Sequence, residues 1–564
     1  MKIFFHPNRG WQNSPPPLDS EPNLLSLSGN NWDDYGTKTT LNARLYFDGQ
    51  KHEFDFHVKL LIDGCDYTAS KLDELCANGW DGFFPIPGVS YISIPSDIDF
   101  YTTIVSKLGF EQAVQVILDL KDAGYLVNHK RDPSSTLLSQ TDEFSSSLMR
   151  ESGANKAFQD GWRVVVGAAA SEIRDFDLNL ITRSGLVRKV PFRFESTLLP
   201  YDINVLIGPN GIGKSHCLKS LVEYWLQTGM GDYQALAQSG HQPFSIRPNI
   251  SRLILVSYSP FEEFNLDLES STLMDKTAYR YFGFRQARED GSIGISRNLP
   301  AYNSSVSIID ALYDDYKNDF IQGRVGKIDA AEAVLKPALG YDQLALEIEL
   351  SPQVWNLQSH LRQINGKAYI PLNRVITTLV HEDALKNACK LTEGVIFLKD
   401  QQPLSLSSGQ RLFTFIVINV LGAIRDNSLI VIDEPELFLH PTLEIEFISL
   451  LKAVLAPFRS KAILATHSLS VVREVPSNCV HIFREDETGL DIVPPPFETF
   501  GGNVQRISSY VFGDKSVSKP FDEWVEEKMQ KSISADVLIN ELGSEINEEL
   551  MMKILSLGRK YSGS

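Results

Sequence analysis

The sequence predicts an α/β protein in which a mixed sheet carries a phosphate-binding loop. Three observations predict this: an apolar run that breaks into a glycine loop over 205–215, an apolar run that ends in two carboxylates over 429–434, and another that ends in a histidine over 462–467. Polar groups at the carboxyl ends of parallel strands lie where ligands bind in such sheets. An antiparallel β-subdomain and a helical insertion complete the predicted domain, and an N-terminal α/β accessory domain precedes it.

Composition and charge describe a folded protein with several domains. The chain has 564 residues, 43% of them hydrophobic, which is too long for one compact core and too apolar for a disordered protein. Its net charge of −18 disfavours contact with nucleic-acid phosphates over most of the surface. The five cysteines form no C-x-x-C pair, and no apolar run is long enough to span a bilayer. We therefore expect a cytoplasmic protein without disulfides or a zinc ribbon.

The first 165 residues are predicted to form the accessory α/β domain. It begins with a stretch rich in Pro, Asn, Ser and Gly, which is typical of loops. Alternating apolar residues then indicate a hairpin, helical spacing follows, and a Ser-rich polar segment indicates a linker or a surface helix. These four predictions concern residues 1–40, 41–61, 96–125 and 132–161.

Residues 166–490 are predicted to form the nucleotide-binding domain. Alternating runs over 173–181 and 186–194 indicate two antiparallel strands before the strand that enters the glycine loop. A mixed stretch from about 262 to 404 separates that loop from the other candidate residues, so we interpret it as a helical insertion. The remaining residues, 491–564, are predicted to form a mostly helical region that docks a partner.

The glycine loop has the spacing G-x-x-x-x-G-K-[ST] and ends at Ser215. Its glycines let backbone N–H groups approach a phosphate, and the helix that follows directs its positive N-terminus at the same point. Lys214 supplies a charge near the β- and γ-phosphates, and the Ser215 hydroxyl can bind Mg²⁺. The preceding apolar strand disfavours an ordinary glycine-rich turn. The predicted nucleotide-binding residues are Gly208, Pro209, Asn210, Gly211, Ile212, Gly213, Lys214, Ser215 and His216.

Two further strand ends supply the remaining chemistry. Asp433 follows four apolar residues and is placed to hold the Mg²⁺ shell, and Glu434 is placed to polarise an attacking water as a general base. The alternative is an acidic pair at a helix N-terminus, with Pro435 in the first turn. His467 ends the next strand, where it can sense a γ-phosphate or have a structural role.

A Ser/Gly turn before a long apolar helix is the last candidate element. Its free backbone N–H groups, its hydroxyls and the positive helix end converge on one spot. Taken alone, this turn is better explained as a simple helix cap. The residues concerned are Ser407, Ser408, Gly409 and Gln410.

The order of these elements resembles the ABC-type ATPase superfamily, and within it the branch of SMC, RecF and overcoming-lysogenisation (OLD) ATPases. The matches are Gly208–Ser215 to Walker A, 406–410 to the signature with Ser408 in place of a glycine, 429–434 to Walker B, and His467 to the switch histidine. The string D-E-P-E-L-F-L-H-P over 433–441 is similar to that in ATPases of prokaryotic anti-phage systems, such as the Septu ATPase PtuA and retron-associated ATPases.

The resemblance implies an ATP hydrolase that needs Mg²⁺ and acts as a homodimer or higher oligomer. Two copies would sandwich two ATP molecules, with Ser407–Gln410 of one copy facing the glycine loop of the other. Lys214, Glu434 and His467 would carry out hydrolysis. The chain would regulate, or sense for, a separately encoded effector, a nuclease, with nucleic acid contacted through the complex and no membrane partner.

Two alternatives stay open. A DNA-repair or DNA-gripping ATPase of the SMC/RecF kind would bind DNA across its closed dimer. A transporter ATPase is the weakest alternative, because Ser259 follows the predicted strand 253–257 where a Q-loop glutamine is expected. The aromatic candidates for stacking on the adenine are Phe192, Phe194 and Tyr201.

Overall fold

A computed structural model shows two compact units, Met1–Gly501 and Gly502–Ser564. The structure describes residues 1–7, 21–34, 36–49, 54–168, 171–226, 230–266, 277–288, 290–321, 323–487, 489–512, 520–530, 534–543, 546 and 548–562. A division of the first unit near residue 165 stays a prediction.

A five-stranded sheet begins the first unit. Its strands β1 to β5 are Lys2–His6, Leu24–Gly29, Thr40–Tyr46, Phe54–Ile62 and Tyr91–Pro95. Neighbours in the sheet follow chain order, and all pairs are antiparallel except β1 with β2. The predicted hairpin is confirmed as β3 and β4. The prediction of loops over 1–40 is wrong at β1 and β2, because these short strands are held by sheet pairing and not by their own composition; residues 8–20 lie outside the described part.

Six helices accompany this sheet. They are α1 to α6: Thr68–Ala77, Asp99–Leu108, Phe110–Asp119, Pro133–Leu138, Ser152–Lys156 and Trp162–Val165. The helical spacing over 96–125 is confirmed by α2 and α3. Phe100 and Ile104 of α2 and Val116 of α3 are fully buried in a core shared with the strands, so the apolar side of each helix covers the sheet.

The Ser-rich segment 132–161 is helical, and its first helix, α4, lies at the surface with Leu137 69% exposed, but its second half is largely buried. Two of its polar side chains, Ser147 and Arg150, enter a buried ionic network whose centre is Asp34. Lys59 Nζ donates to Asp34 Oδ2 at 3.0 Å, and Arg150 Nη1 donates to Asp34 Oδ1 at 2.7 Å. The Ser147 hydroxyl also donates to Asp34, at 3.0 Å. Composition suggested exposure, but pairing across this network allows these polar groups to be buried.

Replacing Asp34 with alanine should lower the free energy of unfolding by about 3–5 kcal/mol, because Lys59 and Arg150 lose the buried carboxylate that they share. Urea denaturation followed by tryptophan fluorescence measures the change. Asp55→Ala is the matched control, since its ion pair with Arg44 is exposed and contributes less than about 1 kcal/mol. Equal losses in the two variants would contradict a structural role for the buried network.

The rest of the first unit is built around a second, larger sheet. In chain order its strands and those of the neighbouring small sheets are β6 Phe176–Ile181, β7 Val187–Phe192, β8 Ile203–Ile207, β9 Arg252–Ser257, β10 Tyr279–Gly283, β11 Arg285–Ala287, β12 Ile293–Ile295, β13 Gln343–Glu347, β14 Arg362–Ile364, β15 Lys367–Pro371, β16 Ile396–Lys399, β17 Gln402–Pro403, β18 Ser428–Asp433, β19 Lys461–Thr466, β20 Val480–Asp486 and β21 Gly489–Val493. The helices are α7 Lys214–Leu226, α8 Met230–Gln238, α9 Leu299–Lys317, α10 Lys327–Leu339, α11 Arg374–Leu379, α12 Glu382–Ala388, α13 Ser408–Ala423, α14 Pro441–Leu455 and α15 Leu469–Val472.

The central sheet is mixed, as predicted. Its order is β10-β9-β18-β19-β8-β20-β21, and all pairs are parallel except β20 with β21. Every residue of β8, β9, β18 and β19 is buried, which is expected of a parallel sheet covered on both faces. The antiparallel pair predicted before the glycine loop is confirmed as β6 and β7. Because β8, β9, β18 and β19 are parallel, their carboxyl ends lie at the same end of the sheet.

The insertion over 262–404 is less helical than predicted. It contains the helices α9 to α12, but β13 to β17 form a five-stranded antiparallel sheet of their own, and β10 joins the central sheet. Pairing between strands far apart in the chain, such as β13 with β16, is not visible in local spacing.

The second unit is helical among the residues that the structure describes. Its helices are α16 Val504–Val511, α17 Pro520–Gln530, α18 Ala535–Leu542 and α19 Glu548–Ser562. Val525, Leu538 and Ile554 form a small core of their own. None of the described helices of either unit combines the length and the apolar character needed to cross a bilayer.

Candidate functional site

The glycine loop joins the end of β8 to the start of α7, as the motif predicts. Gly211 and Gly213 have φ values of +73° and +112°, a region that side chains with a Cβ rarely adopt. Gly208 is required for another reason, because a Cβ there would lie 2.2 Å from the Phe483 carbonyl oxygen. The loop therefore depends on glycine at three positions for local geometry.

Lys214 points back into this loop. Its Nζ donates to the carbonyl oxygens of Gly208 and Pro209, each at 3.0 Å, and contacts His467 Nε2 at 2.8 Å. An ammonium group donates protons and accepts none, so Lys214 is the donor in both carbonyl contacts. Burial lowers the pKa of Lys214, and the carboxylates of Glu434 and Asp433 oppose that effect.

Asp433 lies at the end of β18, next to the glycine loop. The Ser215 hydroxyl donates to Asp433 Oδ1 at 3.2 Å, while Oδ2 is buried without a hydrogen-bond partner among the described residues. Burial, followed by the negative charges of Glu262 and Glu434, raises the pKa of Asp433 to about 8. A hydroxyl and a carboxylate with a free oxygen are ligands that suit Mg²⁺, so these residues fit the predicted metal.

Glu434 follows directly and is held in an unusual backbone conformation. Its φ is +49°, in the left-handed region, which costs about 1 kcal/mol or more for a residue with a side chain. Its amide N–H still donates to Ala465 O at 2.9 Å, which keeps the residue attached to the edge of the sheet. Glu434 Oε1 lies 3.7 Å from His467 Nε2. The neighbouring His467 side chain, and then the Lys214 charge, hold the pKa of Glu434 below its usual value, so the carboxylate is ionised at neutral pH.

His467 follows β19 and is positioned by a carboxylate that the sequence did not single out. The backbone N–H of His467 donates to Glu436 Oε1. Burial raises the pKa of Glu436, and its second oxygen is buried without a partner among the described residues. The D-E-P-E string was the available signal, because Glu436 lies two residues beyond the presumed base.

These side chains surround one cleft of about 440 Å³. Its lining includes Asn210, Gly211, Gly213, Lys214, Ser215, His216, Ser259, Glu434 and His467. Gly208, Pro209, Ile212 and Asp433 are not among the lining residues. Gly208 and Pro209 hold Lys214 through their carbonyls, and the buried Asp433 contacts the lining residue Ser215. Ser259 stands where a Q-loop residue is expected, and the cleft also contains Arg183, Lys219, Glu262 and Glu263, which sequence reasoning missed. Two adjacent carboxylates shortly after a buried strand were the only signal for Glu262.

The predicted signature residues Ser407–Gln410 and the aromatic candidates for adenine stacking lie outside the cleft. Ser407 caps α13: its hydroxyl accepts from Gln410 N at 3.2 Å, and Gln410 Oε1 accepts from Ser407 N at 3.0 Å. Ser407 and Ser408 are exposed, Gly409 is buried, and none of Ser407–Gln410 lines the cleft of its own chain.

Two of the three aromatic candidates for adenine stacking, Phe192 and Phe194, are excluded because their side chains are buried. Phe192 and Phe194 are 0% and 4% exposed, because they belong to the core beneath β6 and β7. Tyr201 lines a separate cavity, where its hydroxyl accepts from Asn478 Nδ2 at 2.8 Å. None of the three lines the cleft.

Comparisons with known proteins found a family model, a related protein and several solved structures. Residues 249–472 match a family model described as an AAA ATPase domain. Protein ea59 of Escherichia phage lambda is 21% identical over 537 residues, which cover 92% of this chain and 89% of that protein. Solved structures with similarity include the SMC head domain from Thermotoga maritima, at 12% identity and a TM-score of 0.23, covering 58% of this chain and 100% of that one. A second is the ADP conformation of MJ1267, an ATP-binding cassette of an ABC transporter. It is 12% identical with a TM-score of 0.26, and the match covers 60% of this chain and 95% of that one. The family match includes Asp433, Glu434 and His467, and it supports an ATPase as the activity of this chain.

Proposed function

We propose that the chain is a cytoplasmic, Mg²⁺-dependent ATP hydrolase that closes as a dimer around ATP. The observation that carries the proposal is the meeting of Lys214, the Ser215–Asp433 pair, Glu434 and His467 in one cleft. These residues come from three separate strand ends, and each has the chemistry that phosphoryl transfer to water requires.

Each side chain has a distinct part in the proposed reaction. The Lys214 ammonium binds the β- and γ-phosphate oxygens, and the ionised Glu434 carboxylate accepts a proton from the attacking water. His467 lies within reach of both, so it can exchange its contact with Lys214 for one with the γ-phosphate. Ser215 and Asp433 would hold Mg²⁺, which when bound neutralises charge on the phosphate oxygens.

The dimer is supported by the location of Ser407–Gln410. These residues present exposed hydroxyls at the N-terminus of the 16-residue helix α13, where backbone N–H groups and the helix dipole favour an anion. They do not line the cleft of their own chain. A second copy, related by a twofold axis, would let each turn complete the other copy's site.

Mixing two inactive variants tests this arrangement. Lys214→Ala removes the glycine-loop cation, and Ser408→Arg obstructs the α13 turn, so each variant alone should be inactive. In an equal mixture, mixed dimers combine one intact loop with one intact turn, and about a quarter of the wild-type rate should return. Differently tagged chains verify that mixed dimers form. A mixture that forms mixed dimers and stays inactive would contradict the shared site.

The finer role that we propose is regulation of a separate effector, a nuclease, in anti-phage defence. It is supported by the 433–441 string and by the helical second unit, Gly502–Ser564, which makes up most of the predicted docking region 491–564. Full-length tagged protein should copurify with a nuclease encoded by a neighbouring gene.

The alternative, a DNA-gripping ATPase, instead requires DNA binding that strengthens with ATP and weakens steeply with salt. The net charge of −18 favours the first role.

A further inference from the structure

The two ends of the nucleotide cleft present different side chains. Glu434 and His467 lie close to the Lys214 ammonium, at the end that would receive the γ-phosphate. In a phosphate-binding loop the phosphates follow the glycine backbone from that end to the first turn of the next helix. The base of a bound nucleotide is therefore expected to extend past His216, away from Glu434.

The turn between β6 and β7 lies beside this first turn of α7. His216 Nε2 lies 2.9 Å from the carbonyl oxygen of Ile181, the last residue of β6. Arg183 follows two residues later and lines the cleft. The turn thus places Arg183 at the end of the cleft where the base is expected.

Hydrogen bonds within this turn hold the backbone of Arg183. The Thr182 N–H donates to Leu186 O at 2.8 Å, and the Leu186 N–H donates to Thr182 Oγ1 at 3.1 Å. The N–H of Gly185, whose φ is +79°, donates to Thr182 O at 2.9 Å. The Arg183 side chain itself is exposed and has no hydrogen-bond or ion-pair partner among the described residues. Its guanidinium is therefore free to contact a ligand.

Two phenylalanines also line the cleft, and neither is suited to stack on the base. Phe264 is 5% exposed, because its ring packs in the core. Phe261 is 88% exposed, but it adjoins Glu262, whose negative charge helps to raise the pKa of Asp433. Phe261 therefore lies toward the metal end of the cleft, and Arg183 is the unpartnered flat side chain toward the other end.

The chemistry of arginine suits this position. A guanidinium is planar and delocalised, and it stacks on aromatic faces with a favourable cation–π interaction. Lys219 also lines the cleft, but an ammonium is a compact point charge without a flat face. Of these two cations, only Arg183 can cover the face of a base.

We propose that Arg183 is the base-contacting residue of the nucleotide cleft, with its guanidinium stacked on the adenine of ATP. The proposal rests on the ATP site proposed above. It names the residue through which that site distinguishes a nucleotide from an inorganic phosphate chain.

Isothermal titration of the full-length chain with ADP and with inorganic diphosphate, each in the presence of Mg²⁺, tests this role. ADP has no γ-phosphate to be hydrolysed, and the two ligands differ by the nucleoside. The wild type should bind ADP about tenfold or more tighter than diphosphate. Arg183→Ala should weaken ADP binding about tenfold and change diphosphate binding less than about twofold. A structural defect in the glycine loop would weaken both.

Two further replacements separate stacking from charge. Arg183→Phe keeps a flat face and removes the charge and the N–H donors, so ADP should bind within about threefold of the wild type. Arg183→Lys keeps the charge and removes the plane, so ADP should bind about as weakly as to Arg183→Ala.

Phe261→Ala and Arg44→Ala are the matched controls. Phe261 is the competing flat side chain, and Arg44 is an exposed arginine of the first sheet that pairs with Asp55. Both variants should bind ADP as the wild type does. The role of Arg183 is overturned if Arg183→Ala weakens ADP and diphosphate equally, if Arg183→Phe binds ADP no better than Arg183→Ala, or if Phe261→Ala loses the preference for ADP. A wild-type chain that binds neither ligand would instead contradict the nucleotide site itself.

Discussion

Replacing Lys214 with alanine should lower kcat for ATP hydrolysis by about 100-fold or more, the loss typical of removing one preorganised donor to the transition state. Lys214 Nζ is held in the glycine loop by two carbonyl oxygens and by His467. Alanine removes the charge that we propose to contact the transferred phosphate, and it leaves the carbonyls of Gly208 and Pro209 without their donor. Phosphate release under saturating ATP and Mg²⁺ measures the effect.

Two controls make the Lys214 result specific. Lys189→Ala removes an exposed lysine that pairs with Asp177 at 2.6 Å outside the cleft, and it should keep the wild-type rate. Chelation of divalent cations should abolish hydrolysis by the wild type. A folded Lys214→Ala protein that hydrolyses ATP within about threefold of the wild-type rate would exclude Lys214 from the proposed chemistry.

Replacing Glu434 with glutamine should lower the hydrolysis rate by about 10²–10⁴-fold, the range for loss of a general base. Glutamine keeps the size of the side chain and its hydrogen bonding, but it cannot take a proton from water. ATP binding should persist, so the dimer should stay closed in ATP instead of reopening. Single-turnover hydrolysis measures the chemical step, and sedimentation velocity with ATP measures the dimer.

Glu436→Gln is the matched control for Glu434→Gln. Both carboxyls lie in the same turn, but Glu436 accepts from the backbone of His467, and a glutamine oxygen can do the same. Its rate should fall less than about tenfold. If Glu436→Gln were the slower variant, the base would have to be reassigned to Glu436, and the raised pKa of that carboxyl would become part of the mechanism.

The sequence predicts the chemistry of the glycine loop well because the requirement is local. Positive φ at Gly211 and Gly213 follows from the loop itself, whereas the close approach of Phe483 to Gly208 depends on the distant strand β20. The strands that carry Glu434 and His467 are likewise visible, because a fully buried parallel strand is a short apolar run bounded by polar residues.

Features that depend on distant partners were not predictable in this way. Glu262 and Arg183 reach the cleft only through the packing of β9 and the β6–β7 turn. Phe192 was a reasonable stacking candidate by residue type, but strand alternation directs it into the core. The buried polar segment around Arg150 looked like surface because its counter-charge, Asp34, lies 116 residues earlier.

The order of strands in the central sheet has a consequence for how the protein is made. β8, which leads into the glycine loop, lies between β19 and β20, and Lys214 precedes its partner His467 by 253 residues. At roughly 5–20 residues per second, a ribosome needs roughly 13–50 s to cover that distance. Throughout this interval β8 is an apolar segment without sheet neighbours, a state prone to aggregation. β8 therefore gains its sheet neighbours, and the cleft its full set of strand ends, only after residues 461–486 have been synthesised.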